Sequence, residues 1–295
     1  MKEIKVKYVD FWKGFNPNDF YLHIVLKDKY KVIISDKPDV LIYSCFGNKH
    51  KKYNCLKIFY TGENIIHNFN ECDYAIGFCY MSFEERYHRY PNYLMERKFY
   101  NNLLEIDNKK ITKKDKFCIM INSNPAAKER IAFFKKLSEY KHVDSGGKTL
   151  NNMGYRVVDK IKTTSKYKFS IAFENSKSSG YCTEKIVDAF ASNTIPIYYG
   201  DPEVFKIFNK NAFINIEDIN HIEEVIELIK KIDNNDKLYN KYIKEKKLLN
   251  NKYISEEQKK FKKFIFNIIE NKNTFYKNEE NHLKRFLKKS IFHSN

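Results

Sequence analysis

The chain has 295 residues with 54 Lys and Arg against 37 Asp and Glu, a formal charge of +17. With 42% hydrophobic and 16% aromatic residues it is too apolar for a disordered chain, and at this length it buries enough surface to fold without disulfides or a structural metal. The basic excess suits nucleic acid, an anionic membrane surface or a phosphate-bearing substrate, whereas abundant Lys, Asn, Ile and Tyr beside only 9 Gly and 6 Pro also fit compositional drift with lysine spread over a solvated surface.

The six cysteines (Cys45, Cys55, Cys72, Cys79, Cys118 and Cys182) sit mostly in apolar runs without a C-x-x-C pair, and the eight histidines are scattered. Buried thiols in a reducing compartment are expected, and no zinc site. The stretch from Met1 to Tyr8 alternates charged and apolar residues, with no apolar leader. No window approaches the roughly 18 apolar residues that span a bilayer. A cytoplasmic protein, at most peripheral on the inner membrane, is expected.

In chain order, Ile4, Val6 and Tyr8 alternate with charges as in a half-buried strand, and 18–29 reads as a helix with Phe20, Tyr21, Ile24 and Val25 on one side. Short β-branched or aromatic runs follow at 31–35, 40–45, 57–60 and 74–78, the pattern of buried strands in an α/β sheet. The polar stretch 101–116 reads as a linker. A second series has strands at 117–121, 168–173, 195–199 and 212–216, helices at 128–140 and 183–192, and a helix with Ile222, Val225, Ile226 and Ile229 on one face. Such βαβ units make a parallel, doubly wound sheet, whose ligands bind at the carboxyl ends of the strands. After Lys237 the chain is helical and basic at 241–252, 256–269 and 282–292. In the last of these, Leu283, Phe286, Leu287 and Ile291 oppose Lys284, Arg285, Lys288 and Lys289, which suits a membrane surface and equally a terminal helix packed on the body. The expected domains are 1–112, 113–250 and a basic helical tail, 251–295.

Chemistry-bearing residues are densest between Lys168 and Asp201. Glu174-Asn175-Ser176 ends a strand, a loop through Gly180 and Tyr181 follows, and Thr183 is a good N-cap for a helix opening with Glu184-Lys185. Free N–H groups at that helix start, with a lysine attached, suit a diphosphate; a merely well-capped helix is the plain alternative. In the first half, the strand 57–60 ends in Thr61-Gly62-Glu63-Asn64. Glu63 there can accept a proton from a bound hydroxyl or be a surface turn residue. Arg130 follows Asn122-Ser123-Asn124-Pro125 at the start of a helix and can fork onto a phosphate or lie exposed. Gly147-Lys148-Thr149 resembles the end of a Walker A loop, but His142 stands where the leading glycine is needed. There is no G-x-G-x-x-G and no Asp-x-Asp.

These motifs resemble those of the bacterial α-1,3-fucosyltransferases of glycosyltransferase family 10. Phe59 to Asn64 followed by Cys72 to Phe78 looks like the family's acceptor-side motif. Tyr167 to Ser176, Gly180 to Ile186 and Ile195 to Gly200 look like its donor-binding motif. Cys182 stands where the family usually has Val, and the match covers about Phe59 to about Ile229. The resemblance implies an α/β, GT-B architecture of two Rossmann-like domains facing a cleft, with C-terminal helices. It implies inverting transfer of L-fucose from GDP-β-L-fucose to a GlcNAc-type hydroxyl of an oligosaccharide or glycolipid (α-1,3, Lewis-type, as on lipopolysaccharide), by single displacement.

Glu63 maps onto the family's base, Arg130 and Lys185 onto its diphosphate ligands, Glu184 and Asn175 face fucose and nucleotide, and Tyr181 faces ribose or phosphate. No cofactor is expected to be required, with a divalent cation such as Mn²⁺ at most stimulatory. Contact of the basic tail with an anionic membrane is a further expectation. The rival readings are a GT-B transferase using another nucleotide sugar and a nucleic-acid-binding protein; the second leaves Glu63 and Glu184 without a role.

Overall fold

A computed structural model describes residues 1–83, 85–104, 106–107 and 113–271. It divides the chain into two α/β units, Met1–Tyr90 joined by the segment from Ile254, and Pro91–Tyr253. In the first, β1 (Lys2–Val9) leads through α1 (Tyr21–Lys29) to β2 (Tyr30–Ile34), and then come β3 (Val40–Tyr43), β4 (Leu56–Tyr60), β5 (Tyr74–Gly77) and β6 (Tyr87–Arg89). All pair in parallel, in the order β2-β1-β3-β4-β5-β6. Every residue of β3 and β5 is buried, which is why they read as continuous apolar runs rather than alternating ones. Within α1 Leu22, His23, Val25 and Leu26 are buried, so of the expected face Phe20 and Val25 are buried while Tyr21 and Ile24 are only partly so. Phe20 is still extended at the end of a 3-10 turn, so the helix begins at Tyr21 rather than at 18.

The second unit opens with α2 (Asn92–Met95) and α3 (Arg97–Leu104). It continues with β7 (Lys116–Met120), α4 (Lys128–Tyr140), β8 (Val143–Ser145), α5 (Lys160–Thr164), β9 (Tyr167–Phe173), α6 (Glu184–Ala191), β10 (Ile195–Tyr199), β11 (Ile214–Asn215), α7 (Ile222–Asp233) and α8 (Asp236–Lys244). Its parallel sheet has the order β11-β10-β9-β7-β8. Phe133, Leu137, Phe169, Ile197 and Ile229, all fully buried, share its core.

The two units divide at 90/91, and the described residues of 101–116 pack within the second unit. Within it Leu103 and Ile106 are buried, Asp107 accepts the Lys247 N–H at 2.9 Å, and the buried Lys114 ammonium donates to the Ser165 carbonyl at 2.7 Å. A lysine-rich composition hid this because α3 buries only one apolar residue of its own.

The last described helix, α9 (Tyr253–Glu270), corrects the expected tail, since from Ile254 it belongs to the first unit. Phe261, Ile265, Ile268 and Ile269 are buried, Phe261 stacks on Tyr90 at 4.0 Å, and Lys262 pairs with Asp28 at 2.6 Å. Its apolar face covers protein; the helix expected at 282–292, for which the membrane and body-packing readings are both open, lies outside the described residues. No described helix is long and apolar enough to cross a membrane, and none of the six cysteines is in a disulfide.

His88 in β6 stacks on Phe264 of α9 at 5.0 Å with its Nε2 buried and unpaired. Burial pulls its pKa down to about 4, against about 6.5 for an exposed imidazole. The folded state thus binds fewer protons than the unfolded one, and the stability His88 provides above pH 6.5 is lost as pH falls toward 4. Urea titrations at the two pH values are expected to show a His88→Leu variant losing about 2 kcal/mol less than the parent; equal losses would contradict this.

Candidate functional site

In the second unit β7 and β9 lie side by side, yet the connection leaving β7 runs to β8 on one side and that leaving β9 to β10 on the other. Such a reversal of strand order opens a crevice beyond the carboxyl ends of the two strands, where doubly wound sheets bind ligands. The chain delivers Asn122 there after β7, Glu174 and Asn175 after β9, and the first turns of α4 and α6. Gly147, from the loop after β8, lies so close that a Cβ on it would stand 1.9 Å from the Asn122 carbonyl. A glycine needed for close backbone packing explains the resemblance to a Walker A ending.

Arg130 heads the buried stripe of α4, Arg130, Phe133, Phe134 and Leu137, taking a position where the i, i+3, i+4, i+7 pattern calls for an apolar residue. It is 1% exposed. Its Nη2 donates to the Phe173 carbonyl at 2.7 Å and to Asn175 Oδ1 at 3.0 Å, while Nε and Nη1 are buried without a partner. Burial pulls its pKa down, but a guanidinium remains charged. Two unmet donors on a buried cation cost several kcal/mol unless an anion or water meets them.

Beside it the Glu174 carboxylate, 2% exposed, accepts from Thr183 N–H at 2.7 Å, Thr183 Oγ1 at 2.7 Å and Lys185 Nζ at 2.8 Å. Gly200 makes room, since a Cβ there would stand 2.5 Å from Glu174 Cγ. Thr183 holds the N-cap position of α6 without making the side-chain cap bond expected of it; its hydroxyl serves Glu174 and Lys185 instead. Lys185 was expected as a cation open to diphosphate, but it is already paired. Its burial opposes the charge, yet Glu174 and Glu184 outweigh that and raise its pKa. With two N–H groups on Glu174 and Thr183, an ammonium has a third left to offer.

Glu184 opens α6, accepts from Asn92 Nδ2 at 3.3 Å and lies 3.9 Å from Lys185. Burial would raise its pKa, but Lys185 and Lys160 hold it at about 2, so it is a carboxylate throughout the working range. Its neighbours differ: burial, with Glu184 nearby, pushes Glu96 up to about 7 and Asp188 up to about 6. A pocket of about 30 Å³ lined by Asn122, Lys160, Ser170, Lys185 and Asp188 has room for a water. Tyr181, 2% exposed, lies within electrostatic reach of Arg130 and Lys185. Lys160, Asn92, Glu96, Asp188 and the pairing role of Glu174 were missed from sequence. The one available signal was Arg130 inside an apolar stripe.

Arg130, Asn175, Tyr181, Glu184 and Lys185 thus come together in the second unit, whereas Glu63 belongs to the first. Glu63 lies three residues beyond β4, half-buried, on a turn closed by its neighbour. Thr61 Oγ1 accepts the Glu63 N–H at 3.0 Å and donates to the Glu63 carbonyl at 3.2 Å.

Two α/β units with parallel sheets, one with the buried Arg130, and Lys185 beside Glu174 and Glu184, at its strand-order reversal, match the GT-B type of fold seen in the solved structures below. Residues 6–96 match the model of the α-(1,3)-fucosyltransferase FucT N-terminal domain, and residues 111–284 match that of glycosyltransferase family 10 (fucosyltransferase), C-terminal part. The chain is 32% identical to an α-(1,3)-fucosyltransferase of Helicobacter pylori, over 93% of its own length and 68% of the relative's. It is similar to a crystal structure of an α1,3-fucosyltransferase (29% identity, TM-score 0.78, 93% and 92% of the two chains). A crystal structure of an α1,3-fucosyltransferase with GDP-fucose also matches, with 28% identity, TM-score 0.73 and 90% of each chain covered. The chain belongs to glycosyltransferase family 10, the fucosyltransferases.

Proposed function

We propose that the chain transfers L-fucose from GDP-β-L-fucose to a hydroxyl of a GlcNAc-type residue in an oligosaccharide, with inversion, in one displacement. The observation that carries this is Arg130, buried with Nε and Nη1 unpaired at the crevice where a diphosphate is expected. The acceptor oxygen bonds to C1 of fucose as the bond from C1 to the diphosphate oxygen breaks. GDP leaves with that electron pair, and Glu63 takes the acceptor's proton. Negative charge growing on GDP meets Arg130 and the third N–H of Lys185, while Glu184, held ionised by Lys185 and Lys160, faces the positive charge growing on the sugar. In this reading two fixed cations do the work of a divalent ion, and no cofactor is required.

A thermal-shift comparison tests the donor assignment. At a hundred times its Kd, GDP is expected to raise Tm by about 5 °C, with and without EDTA, and UDP and CDP much less. An equal or larger shift with UDP would move the reading to another nucleotide sugar. Loss of the GDP shift in EDTA would overturn the metal-free account.

A further inference from the structure

We infer that Thr61 is a positioning residue for the transfer reaction, its hydroxyl fixing the backbone of Glu63 so that the carboxylate meets the acceptor hydroxyl. The inference rests on the reading of Glu63 as the base. Thr61 directly follows β4 and is 3% exposed, and its N–H continues the ladder to the Ile76 carbonyl at 3.4 Å. A buried β-branched residue at a strand exit is ordinarily Val or Ile, and a buried hydroxyl costs free energy unless it is hydrogen-bonded. Here its hydrogen-bond donor and one lone pair are spent on the Glu63 peptide groups, at 3.2 and 3.0 Å. A further contact, Cys45 Sγ at 3.7 Å, ties the turn to the loop leaving β3.

The arrangement is a side-chain-closed turn around Gly62. The Ile65 N–H donates to the Glu63 carbonyl at 2.7 Å, so Glu63 is held from both directions along the chain. Valine would fill the same space and suit the strand exit, yet release both bonds. The hydroxyl's bonds go to the turn rather than to the sheet, so its loss is expected to loosen Glu63 and leave β4 in place. A base displaced by an ångström costs about a hundredfold in rate.

The experiment compares Thr61→Val, Thr61→Ala and Thr61→Ser with Glu63→Gln in the full chain, using GDP-fucose and N-acetyllactosamine. For Val and Ala, kcat is expected to fall about 30- to 100-fold, with the KM for GDP-fucose and the acid limb of the kcat profile unmoved. Ser, which keeps the hydroxyl, is expected to recover all but a few-fold of the rate. The inference is overturned if Val and Ala keep kcat, or if Ser loses as much as Val, which would assign the effect to the lost methyl group. If Val does not fold, the Ala and Ser pair decides by the same criterion. A Glu63→Gln variant with undiminished transfer would instead remove the base assignment, whatever Thr61 does.

Discussion

Glu63→Gln is expected to lower fucose transfer by about a thousandfold while leaving the Kd for GDP within about twofold. A positioned general base contributes about 10²- to 10⁴-fold, and glutamine keeps the shape of the side chain but cannot take a proton. The Thr61 bonds go to backbone groups of Glu63, so the turn survives the substitution. The donor-side cluster lies in the other unit, so donor affinity is expected to be untouched. Initial rates with saturating donor and calorimetric GDP titration separate the two quantities. Full transfer by the variant would remove Glu63 from the chemistry, and a large loss of GDP affinity would reassign it to donor binding.

Arg130→Met is expected to weaken GDP binding by at least about a hundredfold without destabilising the ligand-free protein by more than about 1 kcal/mol. Hydrogen bonds to charged groups contribute about 1.5–3 kcal/mol each, so losing two N–H donors to a diphosphate costs about 3–6 kcal/mol. The ligand-free fold pays the desolvation of a 1%-exposed guanidinium with Nε and Nη1 unmet; methionine of similar length avoids that cost, which offsets the two lost bonds from Nη2. A structural arginine makes the opposite pattern: lost stability and kept affinity. Urea unfolding of the free protein beside GDP titration distinguishes the two, and an Arg130→Met protein that unfolds early yet binds GDP normally would refute the assignment.

Both sheets were legible where strands are buried on both faces, as in β3, β4, β9 and β10, because such runs stay apolar whatever surrounds them. The strands missed, β6 and β8, have three residues each, too few for a period. The helix α5 has five residues and shows no stripe, so nothing in the sequence placed Lys160 within electrostatic reach of Glu184. Asn92 meets Glu184 across 92 positions, a proximity that only the crossover topology creates. The helix at 256–269 was legible in sequence, but not what its apolar residues meet, since Phe261 stacks on Tyr90, far away in the chain.

The family was recognisable from the runs around Glu63 and from Tyr167 to Gly200. Those runs name the charged residues at the crevice without saying how they pair. Glu174, read only as part of a polar strand end, proves to hold Lys185 and Thr183. In the proposed donor site that pairing makes Arg130, with Nε and Nη1 unpaired, the expected main anchor for the diphosphate, and Lys185 a shared one.

Incubation of the full chain with GDP-fucose and N-acetyllactosamine, with the products read by mass spectrometry and the new linkage by NMR, tests the central claim most directly. The expected products are GDP and, in matching amount, a trisaccharide heavier by one deoxyhexose, with an α anomeric signal and attachment at the GlcNAc residue. A β-linked product would contradict the inverting displacement. Transfer from UDP- or CDP-sugars with none from GDP-fucose would contradict the donor assignment itself.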